Sequence, residues 1–249
     1  MIMDFNTTGI DLSWQANDIQ SFYPIIIATV GFTIYWFISI SPKIKSRFYT
    51  KYDADTASEK HILFTKYSGL IWMGIIPLII SLFVLPNYAL ADYGLTIIPE
   101  TTLTSLAWIL GLCVLIVPIA SISARNPKNF ANYPQIRAKE WNTALKIKNA
   151  LGWAAYLFGY EVLFRGILLF PLVAKFGVWP AIAVNVALYS STHIPKGLDE
   201  TIGAIPLGIV LCLLTLLTGT IWIAFFVHVA MAWTNSFTAL KHNPEMRSV

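Results

Sequence analysis

Two charged side chains stand inside an otherwise apolar stretch of this sequence, ALGWAAYLFGYEVLFRGILLFPLVA at residues 150–174. Glu161 and Arg165 are four residues apart, so on a helix they share a face and can form an ion pair. Such a pair can be purely structural, because each charge lowers the cost of burying the other. It can also keep a carboxylate ionised for proton-transfer chemistry.

Two histidines farther along the chain can join this pair. His193 ends the segment YSSTH, and His228 lies in the apolar stretch FFVHVAMAWTNSF. At about 1.5 Å per helical residue, Glu161 and His228 both come near the middle of a ~30 Å hydrocarbon core, with His193 nearer its inner edge. A lone histidine on an apolar helix is usually a packed core residue, but two at a depth compatible with a carboxylate and a guanidinium indicate a functional site.

An amide lies on the same helix face as the second histidine. Asn235 follows His228 by seven residues, which is about 20° short of two full helical turns, so the two side chains form one stripe. An amide on this stripe can belong to the same site as His228. The same amide can instead serve as an interfacial cap or a helix–helix contact.

A metal site and a serine hydrolase are the chemical alternatives. Two histidines and a glutamate are suitable metal ligands, but the sequence has no HExxH motif and the three residues come from three separate stretches. We therefore expect no cofactor, with a metal bound by Glu161, His193 and His228 as the open alternative. Ser190 and Ser191 adjoin His193, yet no second acid completes a serine triad in an obvious way.

The elements that must position these residues are predicted to be membrane-spanning helices. Of the 249 residues, 56% are hydrophobic and only 12% are charged, about half the charged share of a soluble domain. The surplus apolar surface requires lipid, which predicts an all-α, polytopic transmembrane bundle. At about 20 residues per crossing, seven stretches are long enough or nearly so: roughly 22–40, 67–86, 103–123, 150–173, 178–193, 202–218 and 220–240.

The distribution of positive charge predicts how the bundle is oriented. Two basic loops, residues 41–66 and 125–148, follow the first and third of these stretches. If both loops are cytoplasmic, the N-terminus lies outside and the C-terminus inside, and all but two of the 17 Lys and Arg residues face the cytoplasm. The exceptions are Lys175, outside, and Arg165, within the membrane. Because this bias explains the net charge of +4, we expect a lipid bilayer as partner and no nucleic acid.

The motifs, in this order, resemble the CAAX protease and bacteriocin-processing family of intramembrane proteases, also called the ABI family. Its pattern is EExxxR, then FxxxH, then HxxxN or HxxxD. Here the first motif reads YEVLFR at 160–165, and the second reads YSSTH, with Tyr189 where the family usually has Phe. The resemblance covers a catalytic helical core at 150–240. It leaves a polar tail at 1–21, helices with basic loops at 22–149 and a C-terminal tail at 241–249.

The resemblance implies an intramembrane endopeptidase of the glutamic type, in the plasma membrane of a bacterium. The implied substrates are lipidated, CAAX-like proteins or other membrane-proximal peptides. Glu and His are implied to activate a water while a second His and an Asn hold the oxyanion. Carried over by position, Glu161 is the second Glu of the pair with Arg165 as its partner, His193 is the general base and His228 is an oxyanion donor.

Two positions depart from the family pattern. Tyr160 replaces the first Glu, and Ala232 stands where an Asn is expected after His228. Tyr is not a base near neutral pH unless its pKa is strongly lowered, so either Glu161 takes over water activation or the chain is a catalytically silent relative that binds membrane peptides or acts as a scaffold. Asn235 can replace the missing amide, because positions i+4 and i+7 lie on nearly one helix face. A transporter is less favoured, since no internal repeat is evident.

Overall fold

The computed structural model describes residues 12–249, and most of the predicted N-terminal tail, residues 1–11, lies outside this range. Within it nearly all regular structure is helical. Two π-helical segments, Leu70–Ile75 and Val162–Leu169, each join two α-helices into one longer helix. The helices are α1 Ile19–Ser39, α2 Pro42–Tyr49, α3 Ala54–Gly69, α4 Ile76–Val84, α5 Pro99–Ala124, α6 Thr143–Glu161, α7 Phe170–Phe176, α8 Val178–Ser191, α9 Leu198–Thr218 and α10 Trp222–His242.

The predicted helical membrane bundle is confirmed. Among the described residues, six helices are long and apolar enough to cross a membrane. They are Ala16–Ser39, Ala54–Val84, Pro99–Ala124, Thr143–Phe176, Leu198–Thr218 and Trp222–His242. The stretch predicted at 178–193 is also helical, but α8 has only 14 residues and is about 21 Å long, short of a ~30 Å core. Seven crossings and the outside-to-inside orientation stay predictions.

Two of the long helices begin well before their apolar stretches, and each start has a side-chain cap. Asp53 precedes α3 and its carboxylate accepts a hydrogen bond from the backbone N–H of Thr56 at 3.1 Å. Asn142 precedes α6 and its side-chain oxygen accepts from the N–H of Leu145 at 2.9 Å. Caps of this kind satisfy the free N–H groups of a first turn. The helices therefore extend into polar sequence that hydropathy assigns to loops.

The segments predicted to be cytoplasmic meet at one end of the bundle. Lys148, at the start of α6, forms an ion pair of 2.6 Å with Glu59 of α3. At the same end β1, Glu140–Trp141, pairs in parallel with β2, Arg247–Ser248. Lys175 and Asp18 approach to 4.0 Å at the opposite end. The fold thus groups both basic loops with the C-terminal segment, as the charge pattern predicts.

The helix that carries Glu161 and Arg165 is the centre of the bundle. In the most apolar 18-residue segment of Thr143–Phe176, 78% is buried inside the protein. In the corresponding segment of α5 only 11% is buried. The central helix packs closely on the helix Ala54–Val84 through Gly159 and Gly74. A Cβ added to Gly159 would lie 2.8 Å from the Cα of Leu70, so only glycine permits this approach. The two charged residues are therefore enclosed by protein.

Candidate active site

The Glu161–Arg165 pair lies where α6 passes into the π-helical segment. Both side chains have no solvent exposure, and Arg165 Nε is 3.4 Å from Glu161 Oε2. The structure therefore forms the ion pair that the spacing predicts. π-helical segments of this kind occur frequently at functional sites, and this one brings the pair into the interior where α8, α9 and α10 surround it.

Asn185 of α8 stabilises the π-helical segment from outside. Its side-chain amide donates to the carbonyl of Phe164, and the Sγ of Cys212 in α9 lies 3.3 Å from its Oδ1. Asn185 and Cys212 are both fully buried, so three helices are connected around the pair. Sequence reasoning missed Asn185. Its signal is a lone amide in the apolar run VWPAIAVNVALYSS, four residues before Tyr189.

His228 reaches the pair from α10. Its Nδ1 contacts Glu161 Oε1, and its Nε2 is 3.1 Å from the hydroxyl of Tyr189. An ionised carboxylate can only accept, so the contact requires the proton on Nδ1. In the neutral ring Nε2 then accepts from the Tyr189 hydroxyl, whereas in the imidazolium form it donates. Glu161 therefore fixes the orientation of the His228 ring.

Tyr189 connects the guanidinium to the histidines. The Cζ of Arg165 lies 4.2 Å from the centroid of the Tyr189 ring, within cation–π distance. The rings of Tyr189 and His193 have centroids 4.9 Å apart. The face of the ring thus stabilises the Arg165 guanidinium. The hydroxyl, which a phenylalanine would lack, contacts His228.

His193 lies in the turn after α8, and hydrogen bonds to residues just before it in the chain hold its ring. Its Nδ1 is 3.1 Å from the carbonyl of Tyr189 and 3.2 Å from Thr192 Oγ1. A carbonyl accepts, so Nδ1 carries the proton and Nε2 keeps the lone pair of a base. Tyr160 belongs to the same cluster, since its hydroxyl is 2.8 Å from Thr192 Oγ1.

A cavity of about 60 Å³ joins these groups. At about 30 Å³ for each water in the liquid, it has room for one or two waters. The candidate residues that line it are Tyr160, His193, His228 and Asn235; the remaining wall is Tyr133, Trp153, Tyr156, Leu157, Thr192, Lys196, Met231 and Ala232. His228 and Asn235 therefore share one cavity, as their common helix stripe predicts.

Glu161 and Arg165 are not part of the cavity wall. The carboxylate is fully buried and contacts His228, which itself lines the cavity. This geometry favours a positioning role for Glu161 over direct attack on a water. Of the two residues at the Glu–Glu positions of the family motif, Tyr160 lines the cavity and Glu161 does not.

The metal alternative finds no ligand cluster in the part of the chain that the structure describes. No group of three His, Cys, Asp or Glu side chains there could hold a metal ion. Glu161 and His228 contact each other, but His193 directs its Nδ1 to the carbonyl of Tyr189. A cofactor-free site stays a prediction.

The segment that carries the site matches a known family. Residues 149–234 match the family model described as Rce1-like, type II CAAX prenyl endopeptidase Rce1-like. This confirms the resemblance drawn from the three motifs, and it supports a CAAX-type intramembrane protease in general terms. Comparison with curated proteins and with solved structures gave no match.

Proposed function

We propose that this protein is an intramembrane endopeptidase that hydrolyses peptide bonds in lipidated, CAAX-like or other membrane-proximal substrates. One observation carries the proposal. A small cavity lined by His193, His228 and Asn235 adjoins the buried Glu161–Arg165 pair through His228. A base, donors for an oxyanion and a carboxylate that orients one of them are the parts that acyl hydrolysis requires.

His193 is the proposed general base. Its Nδ1–H is held by the carbonyl of Tyr189, which leaves the Nε2 lone pair as the proton acceptor for a water in the cavity. The hydroxyls of Thr192 and Tyr160, 2.8 Å apart, can orient that water. Base catalysis by a positioned imidazole typically contributes about 10²–10⁴-fold.

His228 and Asn235 are the proposed oxyanion donors. The proposed donor form is the imidazolium, which bonds to Glu161 through Nδ1 and can redirect its Nε2–H from the Tyr189 hydroxyl, 3.1 Å away, to an oxyanion in the cavity. The Asn235 amide lines the same wall and adds a neutral donor. Arg165 places a positive charge 3.4 Å from Glu161, so it supports the donor through the carboxylate and does not touch the substrate.

A second candidate function is a catalytically silent relative that binds membrane-embedded peptides. Two observations favour it specifically: a tyrosine faces the cavity where the family motif has a carboxylate, and Glu161 does not line the cavity. Such a protein would bind the same substrates without cutting them.

The test is cleavage of a fluorogenic lipidated peptide by the purified protein in vesicles, for wild type, Glu161→Ala and His193→Ala. Turnover by wild type that both substitutions abolish supports the proposed site. Equal turnover in all three rejects the site. Peptide binding by wild type without any turnover supports the silent relative instead.

A further inference from the structure

A second cavity lies at the end of the bundle where the two short strands pair. Its volume is about 430 Å³, within the ~300–1,000 Å³ range of small-ligand sites. Lys146 precedes Glu161 by 15 positions on the central helix, and Lys241 follows His228 by 13 positions on α10. Each lysine is therefore about 20 Å from the candidate active site along its helix. We call this cavity the basic groove, and its lining residues are Lys146, Phe237, Leu240, Lys241, Met246, Arg247 and Ser248.

The basic groove carries an excess of positive charge. Three of its lining side chains are cations and none is an acid. Arg247 forms an exposed ion pair with Glu140, but within residues 12–249 Lys146 and Lys241 form no ion pair with a carboxylate. Like charges that share one groove repel each other, and a bound anion relieves this repulsion. The described residues thus leave a positive charge that an anionic ligand can neutralise.

Most of the remaining wall of the basic groove is apolar. Leu240 is buried, and Phe237 and Met246 are half-buried and pack on the cluster that contains Trp141 and Leu145. A free phosphate has no group that could cover this apolar surface, whereas the acyl chain of a phospholipid does. The combination of cations with apolar side chains therefore fits an amphipathic anion.

The basic groove also lies at the level where lipid headgroups are expected. Lys146 is the fourth residue of the candidate span Thr143–Phe176, and Lys241 is the last but one of the candidate span Trp222–His242. Since both helices are long enough to cross a bilayer, these two ends come near the membrane–water interface. Lysines at helix ends keep their apolar stems in hydrocarbon and their ammonium groups among the headgroups. Basic pockets between spanning helices can bind acidic headgroups.

We infer that the basic groove binds an anionic phospholipid, with its phosphate held by the three cations and an acyl chain against Phe237 and Met246. Ammonium and guanidinium groups form charge-assisted hydrogen bonds to phosphate oxygens. The lipid joins the start of the central helix to the end of α10 and the strand that follows it. A ligand that binds only the folded state stabilises it. This site lies outside the proposed proteolytic chemistry and does not depend on it.

The test measures, by native mass spectrometry of the full chain in detergent, the Kd of short-chain phosphatidylglycerol and of phosphatidylcholine. For wild type we expect a Kd for phosphatidylglycerol that is at least about tenfold lower, because each cation near an acidic headgroup contributes severalfold. Lys146→Met/Lys241→Met should bring the two values within about twofold. Lys43→Met/Lys128→Met is the matched control, since it removes two exposed lysines outside the groove. This control should keep the wild-type preference.

Three results would overturn the inference. The first is equal Kd values for the two lipids in wild type. The second is a control variant that loses the preference as fully as the groove variant, because the effect is then one of overall surface charge. The third concerns glycerol 1-phosphate, the headgroup without acyl chains, which should bind wild type at least about tenfold more weakly than phosphatidylglycerol. Equal binding of the two would assign the groove to a soluble phosphate.

Thermal unfolding of each variant without added lipid checks that it is folded. If the double variant is unfolded, Lys241→Met alone, which alters an exposed side chain, should still raise the Kd for phosphatidylglycerol about fivefold. An unchanged Kd in that folded variant would remove Lys241 from the site and overturn the inference. Because no peptide is present, none of these results depends on whether the protein is a protease.

Discussion

Glu161 Oε1 contacts His228 Nδ1 between the central helix and α10, with both side chains buried. The contact determines which nitrogen of His228 carries a proton and directs the other nitrogen towards Tyr189, 3.1 Å away. Arg165 supplies the opposite charge at 3.4 Å. The charged pair in the apolar stretch is therefore a support for a histidine on another helix, and its removal should affect that histidine.

Replacing Glu161 by Gln should reduce both activity and stability. The neutral amide leaves the Arg165 guanidinium buried without its counter-charge, and breaking a buried pair in this way costs about 3–5 kcal/mol. It also replaces the charged acceptor that orients His228 by a neutral, weaker one, so we expect turnover to fall at least about 100-fold. The free energy of unfolding and the cleavage rate measure the two effects.

The double variant Glu161→Gln/Arg165→Met separates the two effects. Because it removes the uncompensated charge, it should regain much of the lost stability without regaining activity. Wild-type turnover in this double variant would contradict the role given to Glu161.

Asn235→Ala should lower kcat by about 10²-fold, the usual effect of removing one oxyanion donor, and leave the fold intact. The side chain lines the cavity together with Ala232, so Ala232→Asn in the same background should restore part of the rate. Thr234→Ala is the matched control, since the Thr234 hydroxyl bonds to the carbonyl of Ala230 and lies outside the cavity wall. Unchanged kcat in Asn235→Ala would remove Asn235 from the site.

Tyr160→Glu should increase turnover. The side chain already faces the cavity beside Thr192, and a carboxylate there can share the proton of the attacking water with His193. Gains of about tenfold or more are within the range of general-base catalysis. Tyr160→Phe, which removes the hydroxyl alone, serves as the comparison in a steady-state assay at neutral pH. A Tyr160→Glu protein that is folded but slower than wild type would argue against this placement.

Asn185→Leu should destabilise the protein by about 1–3 kcal/mol, the cost of leaving a buried acceptor unsatisfied. The lost partner is the Phe164 carbonyl in the π-helical segment, so the position of Arg165 should shift and turnover should also fall. Thermal unfolding in detergent reports the first effect. If stability and turnover both stay at wild-type values, Asn185 does not hold this segment.

Most of the fold follows from the sequence because a bilayer imposes strict lengths on apolar helices. Hydropathy locates the long helices but not their true starts: the capped first turns after Asp53 and Asn142 are polar and read as loops. It also cannot separate a full span from α8, which is apolar yet only 14 residues long. α8 packs against α9 and the π-helical segment, and hydropathy cannot predict these contacts.

The site could be predicted only where its members share one helix. The Glu161–Arg165 pair and the His228–Asn235 stripe follow from helical spacing, and both are present. The contact of Glu161 with His228 joins two residues on different helices, 67 positions apart in the chain, and no local pattern encodes it.

The other residues that line the cavity could not be predicted from the sequence either. Tyr133, Trp153 and Lys196 come from a loop, a helix and a turn that are distant in the chain. They meet only because the helices pack, so neither composition nor spacing marks them as neighbours.

The most direct test of the central claim is the rate at which His193→Ala cleaves a lipidated peptide, with products identified by mass spectrometry. His242→Ala is the matched control, because His242 is exposed at the end of α10 and lies outside the cavity. We predict that His193→Ala lowers the wild-type rate at least about 10²-fold, while His242→Ala keeps it. Equal rates for both variants and the wild type would contradict a protease site built on His193.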